Sequence, residues 1–184
     1  NLFIKTFGVG GSALGRVVVR ELSEKEDLHG PYLADGGFEK GSPGKLPLEL
    51  SGVGGAEVRI TDKVAFKGSK SAEITLKPGI LTRFAKVVAL VPVRTGSCMT
   101  FSLMARTDKP GTPLTLRLNG VLRVESFAVL DNQWKKIEVS LKAPDSEVDK
   151  FQLFQPYIRV ETPDSKVKVW IDEMQIKMDQ SSRK

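Results

Sequence analysis

The chain has 184 residues, of which 40% are apolar and 27% charged, with a formal net charge of +6. That length suits one ordinary domain with an appendage. No apolar run in the sequence approaches the roughly 20 residues that a membrane-spanning helix needs. We therefore expect a soluble protein without a membrane partner.

The positive charge favours an acidic polymer as a partner, but its distribution argues against nucleic acid. Lysine and arginine are scattered along the chain, and no basic stretch is interleaved with aromatic residues. A single cysteine, Cys98, excludes an internal disulfide and a cysteine-based zinc site. The sequence also has no Ser-His-Asp arrangement, phosphate-binding loop or histidine cluster, so an enzyme is the class that it supports least.

Residues 1–31 are predicted to form a separate appendage. Two apolar runs, 2–7 and 17–22, flank a glycine-rich segment, which is the pattern of a hairpin with a flexible tip. Two interpretations remain open. The segment is either the last hairpin of an upstream domain or an extra pair of strands on the domain that follows, and we favour a link to a larger parent protein.

From residue 32 onward, short apolar segments alternate with turn signals. Proline and glycine pairs separate predicted strands at 56–60, 71–76, 82–91, 98–106, 113–118, 122–129, 134–141, 150–160 and 166–176. Many short strands without a helix-length amphipathic segment predict an all-β antiparallel β-sandwich over residues 32–178. Residues 179–184 are predicted to be a frayed tail.

The hairpin near Asn119-Gly120 can be predicted in more detail. A three-residue loop pairs Leu118 with Leu122 and gives each strand one apolar face, whereas a two-residue turn mixes core with solvent. The favoured register sets Arg117 opposite Arg123 on the other face. Like charges facing each other destabilise a sheet unless a group neutralises them. That group is either Glu125 or an acidic or hydroxyl-rich ligand.

Five further segments stand in a characteristic order. They are Gly36-Gly-Phe-Glu39, Lys67-Gly-Ser-Lys-Ser-Ala-Glu-Ile74, Gly96-Ser-Cys-Met-Thr-Phe-Ser102 with Arg106, Asn132-Gln-Trp134, and Val160 through Glu173. Together these segments resemble the jelly-roll carbohydrate-binding modules attached to xylanases and β-glucanases, especially the xylan-binding family 22 type and the related families 4 and 9.

The resemblance implies a galactose-binding-like jelly roll with a noncatalytic role. Such a module is extracellular and monomeric, and it holds the adjacent catalytic domain of a larger protein near a polysaccharide or oligosaccharide. The alternative is a structural spacer or docking sandwich that has kept this scaffold and lost glycan binding.

Modules of this type usually hold one structural calcium between the opening motif, the Gly-Ser-x-Ser loop and the last strand. The resemblance therefore implies a calcium site formed by Glu39, by the loop that contains Gly68 and Lys70, and by Asp172. Calcium prefers six to eight oxygen ligands. The alternative is that Glu39 pairs with Lys40 or Lys70 and that backbone amides cap Asp172.

The resemblance also implies a sugar-binding cleft across one sheet face. By approximate alignment, Phe84 and Phe127 stand at platform positions, Arg159 stands where a tyrosine would, and Glu161 keeps an acid. Arg159 and Glu161 are two residues apart and share a face.

Three further arginines would make that cleft cationic if they lie on the same face. Guanidinium groups would then favour uronic-acid or sulfated glycans over neutral xylan. The predicted carbohydrate-binding residues are accordingly Phe84, Arg106, Arg117, Arg123, Phe127, Arg159 and Glu161. Trp134 and Trp170 are predicted to have structural roles.

Overall fold

A computed structural model describes residues 32–79, 83–148, 150–160 and 166–179, and its regular elements in these ranges are all β-strands. The strands are β1 (Leu50–Gly54), β2 (Ala56–Thr61), β3 (Ser71–Leu76), β4 (Arg83–Val87), β5 (Val91–Arg94), β6 (Cys98–Thr107), β7 (Thr112–Asn119), β8 (Arg123–Leu130), β9 (Lys135–Lys142), β10 (Phe151–Val160) and β11 (Val167–Asp179). The appendage predicted for residues 1–31 lies outside the described residues. None of the described residues forms a helix with the length and apolarity that a bilayer crossing requires.

The strands form two antiparallel sheets. The first sheet has the order β1-β4-β10-β7-β8. The short strand β5 pairs with residues 151–154 of β10, and β4 pairs with residues 157–159 of the same strand. The second sheet has the order β2-β3-β11-β6-β9. The prediction of an all-β antiparallel β-sandwich is confirmed.

The core lies between the inner faces of these sheets, and alternation within each strand explains which side chains reach it. In β6 every second residue is apolar and 0–1% exposed; these residues are Met99, Phe101, Leu103 and Ala105. In β7 the fully buried residues are Leu114, Leu116 and Leu118. Full burial of each such large side chain contributes about 1.5–3 kcal/mol. The intervening residues of each strand therefore face outward, where a ligand can reach them.

Two strand predictions were wrong in instructive ways. The strand β1 was missed because its sequence, Leu-Ser-Gly-Val-Gly, contains two glycines, which have low strand propensity. The single strand predicted over 82–91 is interrupted, and the chain leaves β4 where the Val88 N–H donates to the Glu49 carbonyl at 2.9 Å. The sequence does not reveal this break, because the apolar residues continue from the end of β4 to the start of β5.

The predicted register of the β7–β8 hairpin was also wrong. Leu118 pairs with Val124 rather than Leu122, so Arg117 lies opposite Glu125. The loop is Gly120–Leu122, and a side chain on Gly120 would meet the carbonyl oxygen of residue 153 at 2.5 Å. A shift of two residues keeps the same side chains inward, so the apolar pattern cannot distinguish the two registers.

Candidate functional site

The outer face of the first sheet presents a row of side chains across four neighbouring strands. Phe84 on β4 lies opposite Arg159 on β10, which lies opposite Thr115 on β7, which in turn lies opposite Phe127 on β8. Neighbouring strands are about 4.8 Å apart, so the two phenylalanines stand about 14 Å from each other. We call this set the cleft row. It places an aromatic ring at each end and polar groups between them.

A depression of about 200 Å³ opens beside the Phe84 end of the cleft row. Its lining residues are Phe84, Arg117, Asn119, Tyr157 and Arg159. The rings of Phe84 and Tyr157 meet edge to face, with centroids 5.3 Å apart and planes inclined at 68°. The Tyr157 hydroxyl donates to Gln155 Oε1 at 2.8 Å, which orients the tyrosine ring. The depression thus combines apolar ring surface with guanidinium and amide groups.

One carboxylate neutralises two of the arginines on this face. Glu125 Oε1 accepts hydrogen bonds from Arg117 Nε and, at 2.7 Å, from Arg123 Nε. These contacts, that of Arg123 first, hold the pKa of Glu125 below its usual value of 4.5. Glu125, one of the two neutralising groups considered above, therefore pairs with both arginines. Lys86, opposite Tyr157 in the register, adds a further cation to the face.

Five of the seven predicted binding residues lie on this face of the first sheet. Phe84, Arg117 and Arg159 come together around the depression, and the nearby β8 carries Arg123 and Phe127 on the same face. The seventh predicted residue, at position 161, lies outside the described residues.

The expectation that Arg106 shares this face is wrong. It lies on β6, opposite Trp170 in the second sheet. Alternation along a strand tells which residues share a face of that strand, but it does not tell to which sheet the strand belongs.

Sequence reasoning missed two residues of the depression, Tyr157 and Asn119. Tyr157 was detectable, because it stands two residues before Arg159 in a strand and so shares its face. Asn119 had been assigned to the hairpin turn, but it ends β7 and pairs with Arg123.

The two acids of the predicted metal site bind the same loop, between β2 and β3, and we call this region the junction. A Cβ placed on Gly37 would lie 3.9 Å from Asp172 Oδ1 and 4.0 Å from Glu39 Cγ. Asp172 is fully buried, and its Oδ2 accepts the N–H groups of Phe66 and Lys67 at 2.8 and 3.1 Å. Its Oδ1 accepts the N–H of the next residue at 2.7 Å. Backbone amides therefore cap Asp172, as the alternative stated.

A bulge in β11 makes this junction possible. The register against β6 shifts between Asp172 and Gln175, and Glu173 adopts a φ of 47°. The bulge turns the N–H of Met174 toward the carbonyl of Gly36, at 2.9 Å. A side chain on Gly36 would lie 2.0 Å from the Met174 carbonyl oxygen, so this close approach requires glycine.

Glu39 binds the β2–β3 loop in a similar way. Its Oε1 accepts the N–H groups of Ser69 and Lys70, both at 2.9 Å, and its Oε2 accepts the Ser69 hydroxyl at 2.8 Å. These bonds, led by the Ser69 hydroxyl, lower the pKa of Glu39. The carboxylate lies directly over Gly68, where an added Cβ would be 2.4 Å from Oε1.

The ammonium of Lys70 completes the junction. It donates to the main-chain carbonyls of Glu39 and Gly41 at 2.7 and 2.9 Å. In the part of the chain that the structure describes, no three acidic, histidine or cysteine side chains group as a metal site. The arrangement does not fit a calcium ion, because N–H and O–H donors engage the carboxylate oxygens and an ammonium engages two carbonyls. Calcium would have to displace these donors.

Chelation and calcium addition test the predicted metal directly. We expect neither to change the midpoint of thermal unfolding, because the lysine already supplies the cation at this junction. A calcium site filled at a hundred times its Kd would add about 2.7 kcal/mol. A rise in midpoint with calcium, reversed by chelator, would establish the metal site.

Replacement of the lysine offers a matched comparison. Lys70→Met should lower the free energy of unfolding by about 1 kcal/mol or more, because it removes two hydrogen bonds from a charged donor. Lys63→Met, an exposed lysine on the same loop, should leave it unchanged in urea unfolding. Equal effects of the two substitutions would contradict a bridging role for Lys70.

Comparisons with known proteins agree on the fold. No family model matches the sequence, and no curated protein matches it either. Among solved structures, the module TmCBM61 in complex with β-1,4-galactotriose has a TM-score of 0.56 at 15% identity, covering 81% of this chain and 99% of that one. The CBM22-1 xylan-binding domain from Paenibacillus barcinonensis Xyn10C has a TM-score of 0.54 at 15% identity, covering 71% and 85%.

A third structure places the same fold within a larger chain. The α-L-arabinofuranosidase MgGH51, bound to arabinose, has a TM-score of 0.60 at 12% identity. The match covers 82% of this chain but 27% of that one. The fold of this protein is therefore that of the β-sandwich carbohydrate-binding modules, as the resemblance implied.

Proposed function

We propose that this chain is a noncatalytic carbohydrate-binding module whose ligand crosses the outer face of the first sheet. The observation that carries this proposal is the depression itself, which the Phe84 and Tyr157 rings line together with Arg117, Arg159 and Asn119. Apolar ring surface beside hydrogen-bonding groups matches a sugar, which has C–H faces and a hydroxyl edge. The similarity in fold to sugar-binding modules supports the same interpretation.

The size of the depression suggests how a glycan chain would lie. Ligand pockets for small molecules typically enclose about 300–1,000 Å³, and this one encloses about 200 Å³. It therefore suits one sugar unit, while the rest of the chain follows the cleft row across the strands toward Phe127. That phenylalanine is 66% exposed and offers a second ring at the far end.

The charge of this face favours an acidic glycan. Along β4, β7, β8 and β10 the described outward side chains include four cations, Lys86, Arg117, Arg123 and Arg159, and one carboxylate, Glu125. Guanidinium groups bind carboxylate and sulfate through charge-assisted hydrogen bonds. A uronic-acid or sulfated sugar would therefore bind here more tightly than a neutral one.

The role that follows is tethering. A module without catalytic groups raises the local concentration of substrate for a catalytic domain on the same chain. The arabinofuranosidase that shares the fold over about a quarter of its length supports such an arrangement. We propose an extracellular, monomeric module that acts in this way on an acidic polysaccharide.

Affinity electrophoresis against neutral and acidic polysaccharides tests the proposal. Xylan and galactan represent the neutral class, and polygalacturonate and a chondroitin sulfate represent the acidic class. We expect the acidic polymers to retard the protein. Arg59→Gln removes one positive charge from the second sheet; it serves as the control for net charge and should be retarded as the wild-type protein is. Retardation by the neutral polymers alone would contradict the acidic ligand. Absence of retardation by the whole panel would favour a structural spacer.

Glu125 provides a second test of the charge argument. Glu125→Gln should strengthen binding to polygalacturonate several-fold, because it releases two guanidinium groups that the carboxylate now engages. Stability should fall by less than about 1 kcal/mol, since such exposed ion pairs contribute little. Isothermal titration and urea unfolding measure the two effects. Weaker binding would show that Glu125 itself contacts the sugar or orients the arginines for it.

A further inference from the structure

A second set of aromatic and cationic side chains lies on the outer face of the second sheet, on the other side of the sandwich from the cleft row. Arg106 on β6 is flanked by Trp170 on β11 and by Trp134 just before β9. The guanidinium carbon lies 5.7 Å from the centroid of the Trp170 ring and 5.9 Å from that of Trp134. We call these three side chains the indole row.

The guanidinium in the indole row has no acidic partner in the described part of the chain. Among the described residues no carboxylate pairs with Arg106, and its Nε is buried without a hydrogen-bond acceptor. The carboxylate beside the row, Glu73, accepts instead from Lys168 Nζ at 3.0 Å and from Trp170 Nε1 at 3.2 Å. Arg117 on the first sheet differs from Arg106, because it donates a hydrogen bond to the Glu125 carboxylate.

Structural packing alone does not explain this arrangement. A cation–π contact between a guanidinium and an indole contributes about 0.5–2 kcal/mol, which accounts for the flanking rings. It leaves the buried Nε–H donor of Arg106 without an acceptor, and an unsatisfied buried donor costs about 1–3 kcal/mol. An incoming anion would pair with the charge of this guanidinium, as no described carboxylate does.

Phe66 extends the same surface. Its ring meets that of Trp134 edge to face, with centroids 5.8 Å apart and planes at 63°, and it is 47% exposed. The row therefore presents aromatic surface next to an unpaired guanidinium. This is the pairing of features that an acidic sugar ring uses, because its C–H face stacks on an aromatic ring while its anionic group binds in the plane of the guanidinium.

We infer that the indole row is a second binding site, specific for an anionic sugar, with the carboxylate or sulfate on Arg106 and the ring on Trp134 and Phe66. This inference goes beyond the proposed function, which places a ligand on the first sheet. The two sites face away from each other across the sandwich, so one module would hold two polysaccharide strands at once. The module would then bridge polymer chains as well as anchor an enzyme.

The two tryptophans of the chain allow a selective test, because both belong to the indole row and neither lies in the cleft. We expect trigalacturonate, or a sulfated chondroitin disaccharide, to change tryptophan emission in a saturable way in the wild-type protein. The sugar that gives the stronger response identifies the anionic group. Arg106→Gln should weaken this response at least tenfold, whereas Lys136→Gln, an exposed lysine on the same face, should not.

Cleft variants separate this site from the proposed function. The emission change should persist in Phe84→Ala and Arg159→Gln, and its loss in those variants would overturn the second site. No emission change in the wild-type protein, with binding still detected by calorimetry and abolished by Arg159→Gln, would overturn it and leave the cleft proposal intact. An equal response to polyglutamate would overturn the assignment to sugars. The thermal unfolding midpoint of Arg106→Gln, close to that of Lys136→Gln, confirms that the variant is folded.

Discussion

Replacement of Asp172 by alanine is expected to lower the free energy of unfolding by about 3 kcal/mol or more, because each unsatisfied buried group costs about 1–3 kcal/mol. The carboxylate is fully buried and accepts the N–H groups of Phe66, Lys67 and Glu173. No other acceptor would replace it at those donors. Since these donors come from the β2–β3 loop and the β11 bulge, the substitution would release two segments that the carboxylate holds together.

Urea unfolding of Asp172→Ala and Asp62→Ala would measure this contribution. Asp62 is exposed on the same loop, and a surface substitution of this kind usually changes stability by less than about 0.5 kcal/mol. Asp172→Asn should lie between them, because its amide oxygen can accept some of the N–H groups while its NH₂ group cannot. Equal stability of the two alanine variants would show that Asp172 does not hold the junction.

Phe84→Ala and Arg159→Gln are each expected to weaken binding of an acidic oligosaccharide at the cleft by about 30-fold, the effect of losing about 2 kcal/mol at a central contact. Phe84 supplies ring surface in the depression, and Arg159 lies directly opposite it on the neighbouring strand. Loss of the ring should affect neutral and acidic sugars alike. Loss of the guanidinium should affect acidic sugars most and should also reduce the salt dependence of binding.

Isothermal titration with neutral and acidic oligosaccharides of equal length would distinguish the two effects. Phe127→Ala serves as the comparison, because Phe127 is 66% exposed at the far end of the cleft row. This substitution should weaken binding less than Phe84→Ala does. If Phe127→Ala has the larger effect, the principal contact is at the β8 end of the row. If Arg159→Gln weakens xylan and polygalacturonate equally, charge does not determine the preference.

The layered fold could be predicted from the sequence because its signals are local. Strand alternation is visible in the sequence of β6, where Met99 and Phe101 are buried in the core. Glycine and proline pairs marked most strand ends. The resemblance implied one site for the acids at positions 39 and 172, and in the structure both carboxylates accept N–H groups of the β2–β3 loop.

The chemistry at that meeting point could not be predicted in the same way. Whether a carboxylate binds a metal or backbone N–H groups depends on the conformation of the loop that faces it. Here the loop turns its amide groups toward Glu39 and Asp172, and Lys70 reaches the nearby carbonyls. None of these orientations follows from residue spacing.

By itself, the sequence determined that this protein is an antiparallel β-sandwich and which side chains of each strand face outward, because alternation has a period of two residues. The tertiary structure alone decided that Phe84, Arg117 and Arg159 meet, since β10 lies between β4 and β7. It alone also decided that Arg106 stands apart from them between two tryptophans in the other sheet. Strand order depends on contacts between residues far apart in the chain, and no local pattern records those contacts.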